Sequence, residues 1–363
     1  MQGEIPRIPS GCSIVGIMDT KGRRFNGEEI IQAISVMHDR SNGLGGGFAA
    51  YGIYPEFKEH YAFHIMYEQE ANRHQTEEYL KSKFMVDHAE MIPVDPQPDI
   101  TDHPLLWRYF IRLKDEVQRD CKVDVADLVV EAVMHVNHRI PGAFIFSSGK
   151  NMGAFKGVGF PEDIGRFFRL EEYEGYLWTA HGRFPTNTPG WWAGAHPFVL
   201  LDWSVVHNGE ISSYGINKRY LETFGYYCTL QTDTEVVTYT FDLLHRRHGL
   251  SLAEACQVMA PPFWKRIDRL NPVESRRQEE LRMVYGSAML NGPFSVIVGY
   301  SRGMLALNDR IKLRPMVCAR DGHRVYMASE EAAIREVCPN PAQVWAARAG
   351  EPVIAELDEG VIL

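Results

Sequence analysis

An unbroken apolar run over residues 12–18 predicts a buried strand near the start of the chain. After a turn at Asn26-Gly27, the residues Ile30, Ile31, Ile34 and Met37 recur at helical spacing, so Glu28 to His38 reads as an amphipathic helix. A glycine-rich stretch, Ser41-Asn-Gly-Leu-Gly-Gly-Gly47, then feeds a strand that begins at Phe48. No Lys-Ser/Thr pair and no helix follow it, so it is not a phosphate loop. It is either a plain turn or the wall of a pocket.

Residues 58–143 have a different texture. His60 to Tyr67 reads as a strand and Asn72 to Phe84 as a helix. Two strands flank the proline-rich Pro93–Pro98, and Ala126 to His138 (helix) and Ala143 to Phe146 (strand) complete the segment. That order, β-α-β-β-α-β, predicts a small ferredoxin-like module inserted into a larger fold. Its histidines (His60, His64, His74, His88, His135, His138) fall at no metal-binding spacing.

Short strands and turns dominate from Phe144 to Ile211. Thr232-x-x-Glu235 has the form of a capping box, predicting a helix that runs to Gly249. A second helical stretch is expected over Ser251–Leu270. Paired strands are expected at Gly292–Gly299 and Met304–Leu307, and another at Arg324–Ala328. A helix over Glu331–Val337 and a strand within Glu351–Leu363 end the chain.

At 363 residues the chain holds one large domain or two modest ones, and its net charge of −9 argues against a nucleic-acid surface. No apolar stretch approaches the roughly 18 residues of a membrane span, and residues 1–11 lack the apolar centre of a secretory signal. The six cysteines are scattered with no CxxC, which suits a reducing, cytoplasmic setting and makes a zinc site or disulfide framework a poor fit.

The chemistry-bearing residues sit at the ends of these elements. Cys12 opens the first strand; alone it reads as an inert core thiol. Were the chain cut between Gly11 and Cys12, the new α-amine would lie beside the sulfur, with a reference pKa of about 7.7–8.0 that suits a general base. Asn208-Gly209 could form a tight hairpin turn, or could offer a side-chain amide and a backbone N–H to a developing oxyanion. Arg183 and Asp233 are each explicable structurally. As a pair, they would hold an α-carboxylate and an α-ammonium. His181, His196 and His207 lack carboxylate or cysteine partners at matching offsets, so no metal site is expected.

In sequence, spacing and order, the segment from His181 through Arg183-Phe-Pro-Thr-Asn-Thr to His207-Asn-Gly-Glu-Ile-Ser212 resembles the class II glutamine amidotransferases, most closely the amidotransferase portion of glutamate synthase. Cys12-Ser-Ile-Val-Gly-Ile is similar to that family's nucleophile start, and Thr232-Asp-Thr-Glu235 to its ammonium-binding segment. Gly292-Pro-Phe-Ser, Asn308-Asp-Arg-Ile-Lys-Leu-Arg314-Pro and Ala328-Ser-Glu-Glu-Ala are similar to later core signatures. The match covers about residues 12–57 and 144–363. Ser13 departs from it, standing where many relatives have Gly, and the inserted module has no counterpart in the family core.

The resemblance implies an α+β fold, the N-terminal-nucleophile four-layer αββα sandwich, interrupted by the module at 58–143 and preceded by a removable leader, residues 1–11. It implies Cys12 as nucleophile, Asn208 and Gly209 as oxyanion hole, Arg183 for the substrate α-carboxylate and Asp233 for its α-amino group, with no metal. The implied activity is hydrolysis of L-glutamine through a Cys12 glutamyl thioester. The ammonia would go to a separate glutamate synthase-like or N-methylglutamate synthase-like subunit in a hetero-oligomer. This chain needs no cofactor for that; FMN and iron–sulfur clusters belong to the expected partners. Two alternatives stand beside it: an unprocessed, non-catalytic glutamine-sensing or scaffold subunit, and an autonomous N-terminal-nucleophile amide hydrolase with another substrate.

Overall fold

The computed structural model describes residues 11–114, 124–184 and 190–361. Of the expected leader only Gly11 is therefore described, and Cys121 and residues 185–189, with Thr186, Asn187 and Thr188 of the arginine segment, lie outside the described residues.

Two antiparallel sheets lie at the centre. The larger runs in the order Gln343–Ala346, Val317–Asp321, Arg324–Ala328, Ser13–Asp19, Leu177–Gly182, Gly46–Tyr51, Met152–Gly157. The smaller runs Phe198–Leu200, Trp203–Gly209, Phe294–Tyr300, Gly303–Asn308, Val353–Glu356. Ser13–Asp19 lies inside the larger sheet, with the smaller sheet on one face and a helix layer on the other. Every residue of it is buried, which is why its sequence runs apolar without alternating. The helices Glu28–Ser35, Pro161–Phe167 and Glu331–Val337 cover the larger sheet. Asp233–Phe241 and Leu252–Met259 cover the smaller, burying Val237, Phe241 and Met259 against Val205, Val296 and Leu305. The result is the expected four-layer αββα sandwich. Polar links cross its centre: the Tyr51 hydroxyl lies 2.8 Å from Ser204 Oγ, and His181 Nε2 lies 3.0 Å from the His207 carbonyl oxygen.

Between Gly46–Tyr51 and Met152–Gly157 the chain builds a third antiparallel sheet, in the order Phe84–Met91, Leu105–Leu113, Tyr61–Tyr67, Ala143–Ser147. With the helices Glu70–Lys83 and Val125–Arg139 this is the ferredoxin-like topology. Its core (Phe63, Ile65, Tyr109, Leu80, Val133) continues into Leu200, Leu221, Val236 and Leu243 of the sandwich, while Ala62, Met66, Leu106, Phe110 and Phe146 join the core of the larger sheet. Three of its histidines serve packing: His64 is buried between Tyr54 and the Ala154 carbonyl, His135 stacks on Tyr79, and His138 stacks on Tyr227; His60 lies 2.8 Å from Asp87 instead.

Three local expectations change. The helix starting at Asp233 ends at Phe241 and continues as a π-helical segment, Asp242–Arg247. Thr232 caps it by accepting from the Thr234 N–H, but Glu235 does not return to Thr232 as a capping box requires. Its carboxylate is buried and accepts from the Thr229 and Leu230 N–H groups and the Tyr239 hydroxyl instead. The stretch Ser251–Leu270 breaks at Pro261-Pro262, and a separate helix, Pro272–Tyr285, follows it.

Candidate functional site

Strand register assembles the first half of the site. Ser13 pairs with Gly182, so Cys12 and Arg183 stand opposite each other just beyond the paired ends. The Phe184 N–H donates to Cys12 Sγ at 3.3 Å. Gly182 pairs with Gly46 on its other side, and the Arg183 N–H donates to the Gly45 carbonyl at 2.9 Å. The Arg183 side chain is buried and its Nη1 donates to the Leu44 carbonyl at 3.4 Å.

The smaller sheet supplies the second half. Asn208 and Gly209 end the strand Trp203–Gly209, paired with Ser295 and Phe294, and so are not a hairpin turn. Gly209 has φ +149°, and a Cβ there would stand 2.0 Å from the Pro293 carbonyl oxygen, so only glycine fits. Gly209→Ala is expected to destabilise the fold by at least about 2 kcal/mol, read as a lower urea midpoint. Asn208 is fully buried. Its Nδ2 donates to Ser329 Oγ at 3.4 Å, and the same oxygen accepts from the Ile14 N–H at 3.2 Å. Ser329 thus ties Asn208 to the strand that Cys12 opens. A Cβ on Gly11 would stand 3.0 Å from Arg314 Nη1 and 3.3 Å from Asn208 Oδ1, while Arg40 Nε donates to the Cys12 carbonyl at 3.4 Å.

Asp233 is the first residue of its helix, where backbone N–H groups favour an anion. Its Oδ2 accepts from the Ile211 N–H at 2.8 Å; its Oδ1 accepts from the Thr234 hydroxyl at 3.3 Å and lies 3.5 Å from His207 Nδ1. Burial alone would raise its carboxyl, but His207, the Ile211 N–H and the Thr234 hydroxyl outweigh it and hold the group below the usual carboxylate range. Burial pushes the Cys12 thiol up. The Phe184 N–H, Arg183 and Arg314 pull it down and Asp233 pushes it further up, leaving it raised. A thiol, two guanidiniums and a carboxylate therefore act on one another at one edge of the sandwich, beside the Asn208 amide.

A family model described as glutamine amidotransferases class-II matches residues 100–225, which include Arg183, Asn208 and Gly209. A protein of Archaeoglobus fulgidus, described only as uncharacterized, is 52% identical over 350 residues, covering 95% of this chain and 92% of its own length. The chain belongs to the class II glutamine amidotransferases. Among named relatives of this amidotransferase, the amidophosphoribosyltransferase of Methanocaldococcus jannaschii is 23% identical over 252 residues, covering 66% of this chain and 48% of its own. The isomerizing glutamine–fructose-6-phosphate aminotransferase of Vibrio cholerae is 26% identical over 239 residues, covering 65% of this chain and 37% of its own. The chain thus spans about half or less of the length of these two relatives.

Several residues of this amidotransferase beyond Cys12, Arg183, Asn208, Gly209 and Asp233 brace the site. The Thr234 hydroxyl, donating to Asp233, also lies 2.8 Å from His196 Nε2 and 3.1 Å from His207 Nδ1. A hydroxyl has one proton to give, so both imidazoles donate to it and their tautomers are assigned. His181 stacks on His196 with ring centroids 3.9 Å apart; burial depresses both, His181 to about 3, so both are neutral at pH 7. Among the described residues no three metal-ligating side chains cluster, and no helix is long and apolar enough to cross a membrane.

Lys156 is the other residue that was missed, although a lone lysine in the apolar run Ala154-Phe-Lys-Gly-Val-Gly-Phe160 was a readable signal. It is buried, and its Nζ donates to the carbonyls of Ala193 (2.9 Å), Ala195 (2.9 Å) and Pro197 (3.2 Å). That segment can lie down on the sheet because position 47 is glycine: a Cβ there would stand 2.2 Å from the His196 carbonyl oxygen. The glycine-rich stretch is therefore part of the wall behind Arg183 and His196.

Proposed function

We propose that this chain hydrolyses the side-chain amide of L-glutamine, with Cys12 as nucleophile. The observation that carries the reading is the convergence of a partly buried thiol with two opposite charges, Arg183 and Asp233, that match a free amino acid's carboxylate and ammonium. Both charged groups are partly desolvated, where a bidentate carboxylate contact and an ion pair gain strength over their values in water.

The chemistry begins once Cys12 is the first residue. Its α-amine takes the thiol proton and the thiolate sulfur bonds to the amide carbon. The carbonyl oxygen gains the negative charge and accepts from Asn208 Nδ2 and the Gly209 N–H. Collapse of this intermediate breaks the carbon–nitrogen bond, and the α-ammonium returns the proton to the leaving nitrogen, which departs as ammonia. Water then attacks the glutamyl thioester, giving glutamate and restoring the thiol. While Gly11 still acylates the Cys12 nitrogen, that base is missing and burial keeps the thiol protonated. Alkylation of such a chain by iodoacetamide is therefore expected to rise with pH around a midpoint above the ordinary thiol value of about 8.5, followed by mass spectrometry. A midpoint at or below that value would contradict it.

The ammonia is supplied, in this reading, to a separate FMN-containing synthase subunit of the glutamate synthase or N-methylglutamate synthase kind, in a cytoplasmic hetero-oligomer. The resemblance of the motifs to the amidotransferase portion of glutamate synthase supports that choice, and the five described cysteines, all free thiols, suit a reducing compartment. The test is ammonia and glutamate release from glutamine by the chain with a verified Cys12 N-terminus, alone and with co-purifying proteins. No release in either setting refutes the activity. The sensor reading draws on the same burial of the thiol, and an N-terminus that stays intact in the working complex would favour it.

A further inference from the structure

We propose that Lys156 is a positioning residue for glutamine binding: its ammonium gathers three carbonyls of residues 193–197 and thereby holds His196 on Thr234, the neighbour that donates to Asp233. The inference deepens the glutaminase reading and rests on Asp233 being the ammonium anchor.

The side chain starts on the edge strand of the larger sheet, where Lys156 pairs with Gly47, and its Nζ lies among the carbonyls of Ala193, Ala195 and Pro197. An ammonium has three protons to donate, and here each finds one acceptor; an uncharged amine would leave one of those buried carbonyls unpaired. The arrangement shapes the turn that leads into the strand Phe198–Leu200, and His196 is part of that turn. His196 Nε2 meets Thr234 Oγ1 at 2.8 Å, and Thr234 Oγ1 meets Asp233 Oδ1 at 3.3 Å. Lys156 is thus linked to the substrate-binding carboxylate through hydrogen-bonded groups that touch at every step, without contacting substrate itself.

The charged and titratable groups around it act on this ammonium in opposite directions. Burial, the largest influence, pushes the Lys156 ammonium down to about 7, with Glu235 opposing and Arg183 adding to the shift. Glu235 is raised to about 7 by its own burial, against its backbone and Tyr239 donors and Lys156. Burial above all, with the lysine's charge a lesser contribution, keeps His196 neutral. The Phe198 ring lies 4.4 Å from Nζ and closes the remaining side.

The test uses the full chain in a Cys12→Ala background, so that glutamine binds without turnover. Lys156→Met keeps the length of the side chain and removes its charge and donors. Glutamine affinity by calorimetry is expected to fall about tenfold or more, and the His196 ring nitrogen resonances, assigned with His196→Gln, are expected to shift. A folded Lys156→Met chain with unshifted His196 resonances overturns the inference even if glutamine proves not to be the ligand. Unchanged glutamine affinity overturns it as well. Failure of the parent Cys12→Ala chain to bind glutamine would count against the glutaminase reading instead, leaving the resonances to decide on Lys156. If circular dichroism shows Lys156→Met unfolded, Thr234→Val, which cuts the same linkage beyond the turn, takes its place. The same weakening is expected, and intact affinity overturns the proposal.

Discussion

Cys12→Ala is expected to abolish ammonia release, lowering turnover by at least about 10³-fold, while glutamine still binds. Cys228, Cys256 and Cys318 cannot take over. Burial pushes Cys256 and Cys318 up to about 12 and raises Cys228 as well, so each stays protonated at neutral pH. The charges that would orient glutamine belong to Arg183 and Asp233, which the substitution leaves in place. Binding by calorimetry and turnover by ammonia release should therefore separate cleanly. Appreciable ammonia release from the Cys12→Ala chain would remove the basis of the mechanism. Cys12→Ser sharpens the comparison, since a hydroxyl at this position keeps the shape but is a far weaker nucleophile at the same pH.

The second large effect is expected at Asn208. Asn208→Ala should lower kcat by about 10²–10³, the 2.7–4 kcal/mol typical of one oxyanion donor, with KM little changed. Among the described residues Asn208 Oδ1 is buried without a partner, and it faces Gly11. Rotating the amide would place Oδ1 at the Ser329 hydroxyl and turn the N–H donors toward the Cys12 side. Its Nδ2 bond to Ser329 is long, which leaves the amide free to turn to a better acceptor such as the proposed oxyanion. A proportionate rise in KM with kcat preserved would assign Asn208 to ground-state binding instead.

Particular elements explain what could be read from the chain alone. Ser13–Asp19 was legible because a strand covered on both faces runs apolar between its ends, here Ile14 to Met18. The ferredoxin-like module was legible from its alternation of periods, even with residues 115–123 outside the described structure. Helix Pro272–Tyr285 escaped notice because it lies on the surface, buries little beyond Gln278 and Leu281, and is charged on most sides. Its signature was local: Asn271 accepts from the Val273 and Glu274 N–H groups ahead of Pro272 at the first turn. Glu235 was misread as half of a capping box because its spacing from Thr232 fits. Its carboxylate turns inward, and tertiary burial decided the matter.

Residue types and their order along the chain pointed to the proposed chemistry: a cysteine opening an apolar strand, an arginine closing another, Asn-Gly, and an aspartate at a helix start. Whether those groups meet is a question of pairing between segments far apart in the chain. Register between Ser13 and Gly182 sets Cys12 against Arg183, and Ser329 links Ile14 to Asn208. The brace formed by Lys156, His196 and Thr234 was not legible as a unit, although Thr234 lies in the Thr232-Asp-Thr-Glu235 motif. Its parts are recruited from a strand, a turn and a helix, and they acquire a common role only when packing removes water and leaves three carbonyls and one ammonium to satisfy each other.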